Sequence, residues 1–286
     1  MWLFIFNIGA VMKINIYSKN ATYQKFEVLK TNRNKRFKYG EFLVEGVRNI
    51  NQAIKNNWEF VSLIYSTDKI LSDWAKQVIN TVKTETNYIL TNDLMQQLSG
   101  KEDASEIMAI IKMRNNSIYN LKLSQKPLIV LFDRPSNKGN LGAIIRSCDA
   151  LGVDALIVTG HSVDIYDPEV IVAGMGSFFN MHVYRMADNS EILDYINHLK
   201  KGYCDFCTIA TTAHKQTPIY EERLNHSCML MLGNETDGLC KNLYGIADKT
   251  ITIPMAETSS ASSFNVACAA TTMIYEIVRQ RNINSK

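Results

Sequence analysis

The chain has 286 residues, enough for one large domain or two modest ones with a substantial core. At 46% hydrophobic and 21% charged residues it reads as a folded globular protein, which excludes disorder as the default. A net charge of +3 is too small to imply a nucleic-acid partner by itself.

In chain order, residues 1–12 (MWLFIFNIGAVM) are apolar but shorter than the roughly 20 residues that span a bilayer. No basic segment precedes them and no small-residue cleavage site follows, so neither a membrane anchor nor a secretory signal is expected. Met1 and Met12 both remain possible starts. Residues 23–29 suggest a short helix, followed by a basic loop. Between Lys19 and Lys38 stand Lys19, Lys25, Lys30, Arg33, Lys35, Arg36 and Lys38 against the single acid Glu27. Such a run either meets phosphates or forms a solvated surface. Residues 41–45 read as extended, 46–56 as helical, 60–65 as a strand and 68–80 as a helix. Thr91 caps another short helix, and 107–113 read as an apolar strand. These elements make a small N-terminal α/β domain over residues 12–114. The polar stretch 115–126, without a clear period, reads as a linker.

Beyond Pro127 the pattern becomes strand, loop, helix. Strands are expected at 128–132, 155–158, 181–184, 207–210, 228–232 and 250–253. Helices are expected at 141–151, from Pro168, near 191–200 and at 264–279. Short apolar strands alternating with helices predict an α/β fold with a mostly parallel sheet covered on both faces, over residues 127–286. Three segments at strand ends then carry polar groups that one crevice of such a sheet can gather. The first is Asn140-Leu141-Gly142-Ala143-Ile144-Ile145-Arg146. Asn140 is placed to cap the helix, Gly142 allows a close approach, and Arg146 stands off the apolar stripe. The second is Leu232-Gly233-Asn234-Glu235, with a carboxylate at a strand's C-terminal edge. The third is Ile253-Pro254-Met255 followed by Ser263-Phe264-Asn265, where Ser262 or Ser263 is placed to cap the last helix and Asn265 offers donor and acceptor.

In this order the three segments resemble the motifs of the SpoU/TrmH family of RNA 2′-O-ribose methyltransferases, members of the SPOUT class. The likeness runs over residues 128–279, and Phe42-Leu43-Val44-Glu45-Gly46-Val47-Arg48 is similar to the start of that family's N-terminal substrate-binding domain. The resemblance implies a C-terminal trefoil knot, S-adenosylmethionine as cofactor, and a homodimer that completes the site near a subunit interface. It also implies catalytic and substrate-handling roles for Asn140, Arg146, Glu235, Ser263 and Asn265. Leu232, Gly233, Ile253 and Phe264 then line the cofactor pocket. Arg146 acts either as a general base or as a phosphate anchor held by Glu235 and Asn140. Arg33, Lys35 and Arg36 are the RNA-binding candidates, with rRNA favoured over tRNA. A non-catalytic RNA-docking homologue is the alternative. Two departures from the family pattern stand out. Residues 256–262 form a longer loop, and Val172 and Gly174 stand where the family commonly carries an arginine and a serine.

Other chemistries find no pattern. Gly174-Met175-Gly176 lacks the third glycine of a dinucleotide fingerprint and follows no strand directly. Cys204-Asp205-Phe206-Cys207 has no second pair or histidine at zinc spacing, the five histidines show no ligand spacing, and no metal is expected. The six cysteines lie mostly in expected helices and strands, as buried free thiols do in a reducing cytoplasm.

Overall fold

The computed structural model describes residues 11–214 and 216–283. The apolar opening segment, and with it the choice of start, therefore lies almost wholly outside the described residues. The chain divides into two compact units. The first holds the described residues up to Arg114 together with Tyr166–Pro168; the second holds 115–165 and 169 onward.

The first unit runs β1 (Met12–Ile16), α1 (Ala21–Thr31), α2 (Arg33–Tyr39), β2 (Glu41–Glu45), α3 (Val47–Lys55), β3 (Phe60–Tyr65), α4 (Asp73–Thr81), β4 (Thr86–Leu90), α5 (Asn92–Ser99) and β5 (Ile107–Lys112). Its five strands form one sheet in the order β1-β4-β3-β5-β2. Tyr23, Phe26 and Leu29 recur at helical spacing on α1 and close over Leu43, Ile64, Leu90 and Ile110. Two expectations are corrected here. The basic loop is the helix α2, because the Asn32 side chain caps it by accepting from the Lys35 N–H at 3.0 Å. Gly40, left-handed at φ 66°, ends it. The helix expected from residue 68 starts at Asp73, where Ser72 supplies the cap.

The second unit runs β6 (Leu128–Phe132), α6 (Lys138–Ala150), β7 (Ala155–Thr159), α7 (Pro168–Ala173), β8 (Val183–Met186), α8 (Asn189–Gly202), β9 (Cys207–Thr211), β10 (Thr217–Pro218), β11 (Cys228–Leu232), α9 (Lys241–Gly245), β12 (Lys249–Thr252) and α10 (Val266–Ile283). Its seven strands are ordered β10-β12-β9-β11-β6-β7-β8, and each neighbouring pair is parallel. Every residue of β6, β7 and β11 is buried, as in strands covered on both faces. On one face Ile129, Leu131, Ile157, Met229 and Met231 meet Ile192, Tyr195, Ile196 and Leu199 of α8. Ile118, at 5% exposure, joins that core with Leu121 and Leu123 packed beside it. The stretch expected as a linker therefore belongs to this unit, its polar composition masking an apolar residue every third position or so.

After β6 the chain adds β7 and β8 on one side, then crosses to lay β9 and β11 on the other. The strand order thus reverses between β6 and β11, and a crevice opens beyond the C-terminal ends of strands at such a point. No helix of the described residues is long and apolar enough to cross a membrane.

Candidate active site

Helix α6 begins three residues earlier than the apolar pattern suggests. Asn137 is its cap, accepting from the Asn140 N–H at 2.9 Å, so Asn140 sits in the first turn rather than at the cap. Its side chain is released for other work. The Asn140 Nδ2 donates to Glu235 Oε1 at 3.2 Å, and its Oδ1 accepts from Asn265 Nδ2 at 3.1 Å. Asn265 in turn caps α10, its Oδ1 accepting from the N–H groups of Ala267 at 2.9 Å and Cys268 at 3.3 Å. That corrects the expectation of a serine cap; Ser262 and Ser263 are exposed. Residues from all three motifs are thereby joined in one hydrogen-bonded chain, Glu235–Asn140–Asn265.

Glu235 also accepts from Ser136, through its N–H at 3.1 Å and its hydroxyl at 2.9 Å, and from the Asn137 N–H at 3.2 Å. Burial, the largest single influence, pushes the carboxyl pKa up. The hydrogen bonds from Ser136 and Asn140, with Glu235's own N–H, outweigh it and hold the group below its ordinary value. Glu235 is an ionised acceptor at neutral pH. Gly142 allows α6 to approach α7, since a Cβ there would lie 2.4 Å from that of Ala173. Gly233 is more constrained still: a Cβ would stand 2.3 Å from backbone atoms of Gly238 and Leu239. Only glycine lets the loop after β11 fold back on itself.

These groups edge a cavity of about 640 Å³, a size ordinary for a small-molecule site at roughly 300–1,000 Å³. Asn140, Gly233, Glu235, Ile253, Ser263, Phe264 and Asn265 all line it. Leu232 does not; it lies one residue behind the wall, buried at the end of β11. Arg146 does not either. Six residues past Asn140 it points about 240° further round the helix, at about 100° per residue. It is exposed along a second cleft with Ala143, Ser147, Thr271, Thr272 and Tyr275. The expected fixing of Arg146 by Glu235 and Asn140 is thus not found in the single chain. Sequence reasoning missed Thr211 at the end of β9, Thr212 and His214 just beyond it, and Tyr244 of α9, which also line the cavity. The signal for the first three was positional: they end or follow a strand adjacent to β11.

The cavity lining is mixed, with apolar Ile253, Phe264, Ala269 and Met273 together with polar threonines and asparagines. That composition fits a ligand with a flat apolar ring and a polar tail, such as the purine nucleoside and amino acid of S-adenosylmethionine. Among the described residues no group of three or more His, Cys, Asp or Glu is arranged to hold a metal. In the first unit, Lys35 is exposed and Arg33 half-buried, its guanidinium 5.7 Å from the Phe37 ring. Arg36 corrects the sequence reading: at 1% exposure it is buried, with Nη1 donating to the carbonyls of Leu29 at 3.1 Å and Lys30 at 2.9 Å. It is spent on joining α1 to α2.

A parallel sheet with a ligand-sized crevice at its switch point defines an α/β enzyme domain. The SpoU rRNA methylase family model matches residues 127–275, and that of the SpoU L30e-like domain matches residues 20–109. A 23S rRNA uridine 2′-O-methyltransferase of Streptomyces viridochromogenes is 39% identical, over 93% of this chain and 92% of its own length. The guanosine 2′-O-methyltransferase RlmP of Bacillus subtilis, also acting on 23S rRNA, is 25% identical over 91% and 97%. The crystal structure of the SpoU methyltransferase AviRb from Streptomyces viridochromogenes, in complex with the cofactor AdoMet, superposes with a TM-score of 0.87, at 37% identity, over 92% of this chain and 99% of that one. The chain belongs to the SpoU rRNA methylase family. It is a methyltransferase.

Proposed function

We propose that this protein transfers a methyl group from S-adenosylmethionine to a ribose 2′-hydroxyl of 23S rRNA in the cytoplasm. The observation that carries the reading is the chain Glu235–Asn140–Asn265 at the mouth of the cavity, which ties the three motif loops together. When bound, the cofactor supplies a methyl carbon already activated by its sulfonium. The 2′-oxygen forms a bond to that carbon, the carbon–sulfur bond breaks, the sulfur keeps the electron pair, and the hydroxyl proton leaves to a base or water. The protein's task is alignment and charge stabilisation. The loop walls at Gly233, Ile253 and Phe264 hold the cofactor. Asn140, Ser263 and Asn265 present polar groups toward the reacting end, and ionised Glu235 fixes Asn140. A docking module has no use for such an assembly.

Arg146 is assigned to the target phosphate and the developing alkoxide, a task suited to a planar two-pronged donor that holds its proton. Arg146 lies in the α6–α10 cleft, so a second copy of this chain completes the site there. Tyr275 of α10, 57% exposed and lining that cleft, marks the face as uncovered in the single chain. A trefoil threading of the C-terminal part and an RNA-binding role for the first unit, through Lys35 and Arg33, belong to the same proposal.

The test is methyl transfer to 23S rRNA with radiolabelled cofactor. Wild type methylates the RNA, and a transcript with a 2′-deoxy target nucleotide is inert. Arg146→Lys and Arg146→Ala fold and bind cofactor but fall about 100-fold or more in turnover, the scale of removing an oxyanion-hole donor. Near-normal turnover by Arg146→Ala overturns its assignment, and methylation of the deoxy substrate overturns the reaction.

A further inference from the structure

Immediately after β6, outside the three motif segments, Asp133 and Arg134 form a compact polar knot. Asp133 is 2% exposed. Its Oδ1 accepts from the Thr159 hydroxyl at 2.7 Å. Its Oδ2 accepts from Arg134 Nε at 3.1 Å, Arg134 Nη2 at 3.0 Å and the Cys240 N–H at 2.9 Å. Arg134 takes φ 47°, uncommon for any residue with a side chain. Such a conformation persists where the surroundings over-determine it, and it gathers at functional sites. Here the surroundings are the loop after β11. The Asn234 Nδ2 donates to the Arg134 carbonyl at 2.6 Å, Arg134 Nη2 donates to the Gly238 carbonyl at 3.2 Å, and the Asp133 N–H donates to the Leu232 carbonyl at 2.9 Å.

The pair therefore grips residues 232–240 at four points: Leu232, Asn234, Gly238 and Cys240. Within that span Asn234 and Gly238 exchange backbone hydrogen bonds at 3.0 and 3.1 Å. Gly233 is pressed against Gly238 and Leu239, and every residue from Gly233 to Leu239 lines the cavity. Free backbone at a loop tip exchanges among conformations, and only a fixed one presents the same wall to a ligand. A charged fork on a buried carboxylate is well suited to fix it, since such hydrogen bonds are roughly twice as strong as neutral ones.

We propose that Asp133 and Arg134 are positioning residues for the cofactor. They clamp the loop of residues 233–239 into the shape that receives it and aim Glu235 at Asn140, without touching the ligand. This deepens the methyltransferase reading and rests on it for the identity of the ligand. The clamp itself stands on the hydrogen bonds.

The test compares full-length wild type with Arg134→Ala, Arg134→Lys and Asp133→Asn by hydrogen–deuterium exchange and by calorimetric titration with S-adenosylmethionine. In Arg134→Ala, amides of 233–240 exchange about 10-fold faster and cofactor Kd rises about 10-fold, the scale of removing one charge-assisted hydrogen bond. Amides of α8 keep their protection, and KM for RNA is unchanged, which a general loss of structure would not allow. Arg134→Lys recovers part of both effects, because one ammonium reaches either Asp133 or Gly238 but does not bridge them with a planar fork. If Asp133→Asn fails to fold, Arg134→Ala still decides, because the Arg134 side chain is one-third exposed. Wild-type exchange and wild-type Kd in Arg134→Ala overturn the proposal. Failure of the wild type itself to bind the cofactor overturns the methyltransferase reading instead, and the exchange comparison then judges the clamp alone.

Discussion

At the scale of residues, Glu235 has a consequence for pH. Its folded pKa lies below its ordinary 4.5. A depressed carboxyl contributes stability that is fully present above the unfolded value and is lost as pH falls through the folded one. The Tm gap between wild type and Glu235→Gln should therefore stay constant from neutral pH down to about 4.5 and close only below it. Melting both proteins across the acid and neutral range checks this, and a gap that closes near neutrality contradicts the assignment. The same residues show what the sequence could and could not convey. Asn137 and Asn140 stand one turn apart before one apolar stripe, so composition cannot say which caps the helix. The pairing of Asn140 with Glu235 spans 95 positions, and only the converging strands reveal it. Arg36 was illegible for the opposite reason: its neighbours are charged, while the two helix carbonyls that bury it come from a bend no local pattern predicts.

At the scale of elements, α10 buries Ala267, Ala270, Met273, Ile274 and Ile277 in its own unit. The stripe of Cys268, Thr271 and Tyr275 faces outward. A helix apolar on more than one side needs more cover than one sheet gives. Ser147 and Thr271 hydroxyls meet at 2.7 Å across α6 and α10, so the two helices present one continuous face. Sedimentation should show the wild type at twice the 32.4 kDa chain mass, and Tyr275→Glu should shift it to single chains with little change in Tm. A wild type that sediments only as single chains at micromolar concentration removes the dimer. Strongly periodic elements of this kind were readable from sequence. β4 was not, because its second position, Asn87, is a buried polar residue (1% exposed) that breaks the apolar alternation. The structure explains it: the Asn87 Oδ1 accepts from the Leu63 N–H at 3.1 Å and the Thr84 hydroxyl at 2.8 Å.

At the scale of the whole molecule, the proposed function divides charge and chemistry between the two units. With Arg36 buried, the phosphate-meeting candidates of the first unit are Lys35 and Arg33. Arg33→Ala with Lys35→Ala should weaken binding to rRNA fragments. It should also flatten the dependence of log K on log salt, by roughly 0.7–0.9 for each phosphate no longer neutralised. Cofactor affinity, measured in parallel, should not move; if it falls, the division of labour is wrong. The second unit carries a different consequence in its strand order. β11 lies in the interior of the sheet, with Leu128 of β6 paired to Cys228 of β11 far along the chain. On a ribosome β6 emerges early and waits with an open flank until β11 has been made. Non-local pairing of that kind is slow and leaves unpaired edges exposed meanwhile. The crevice is thus among the last parts of the protein to come into being: a chain cut short before Cys228 lacks both β11 and β12, so β9 and β10 have no neighbouring strand and only β6, β7 and β8 stay paired.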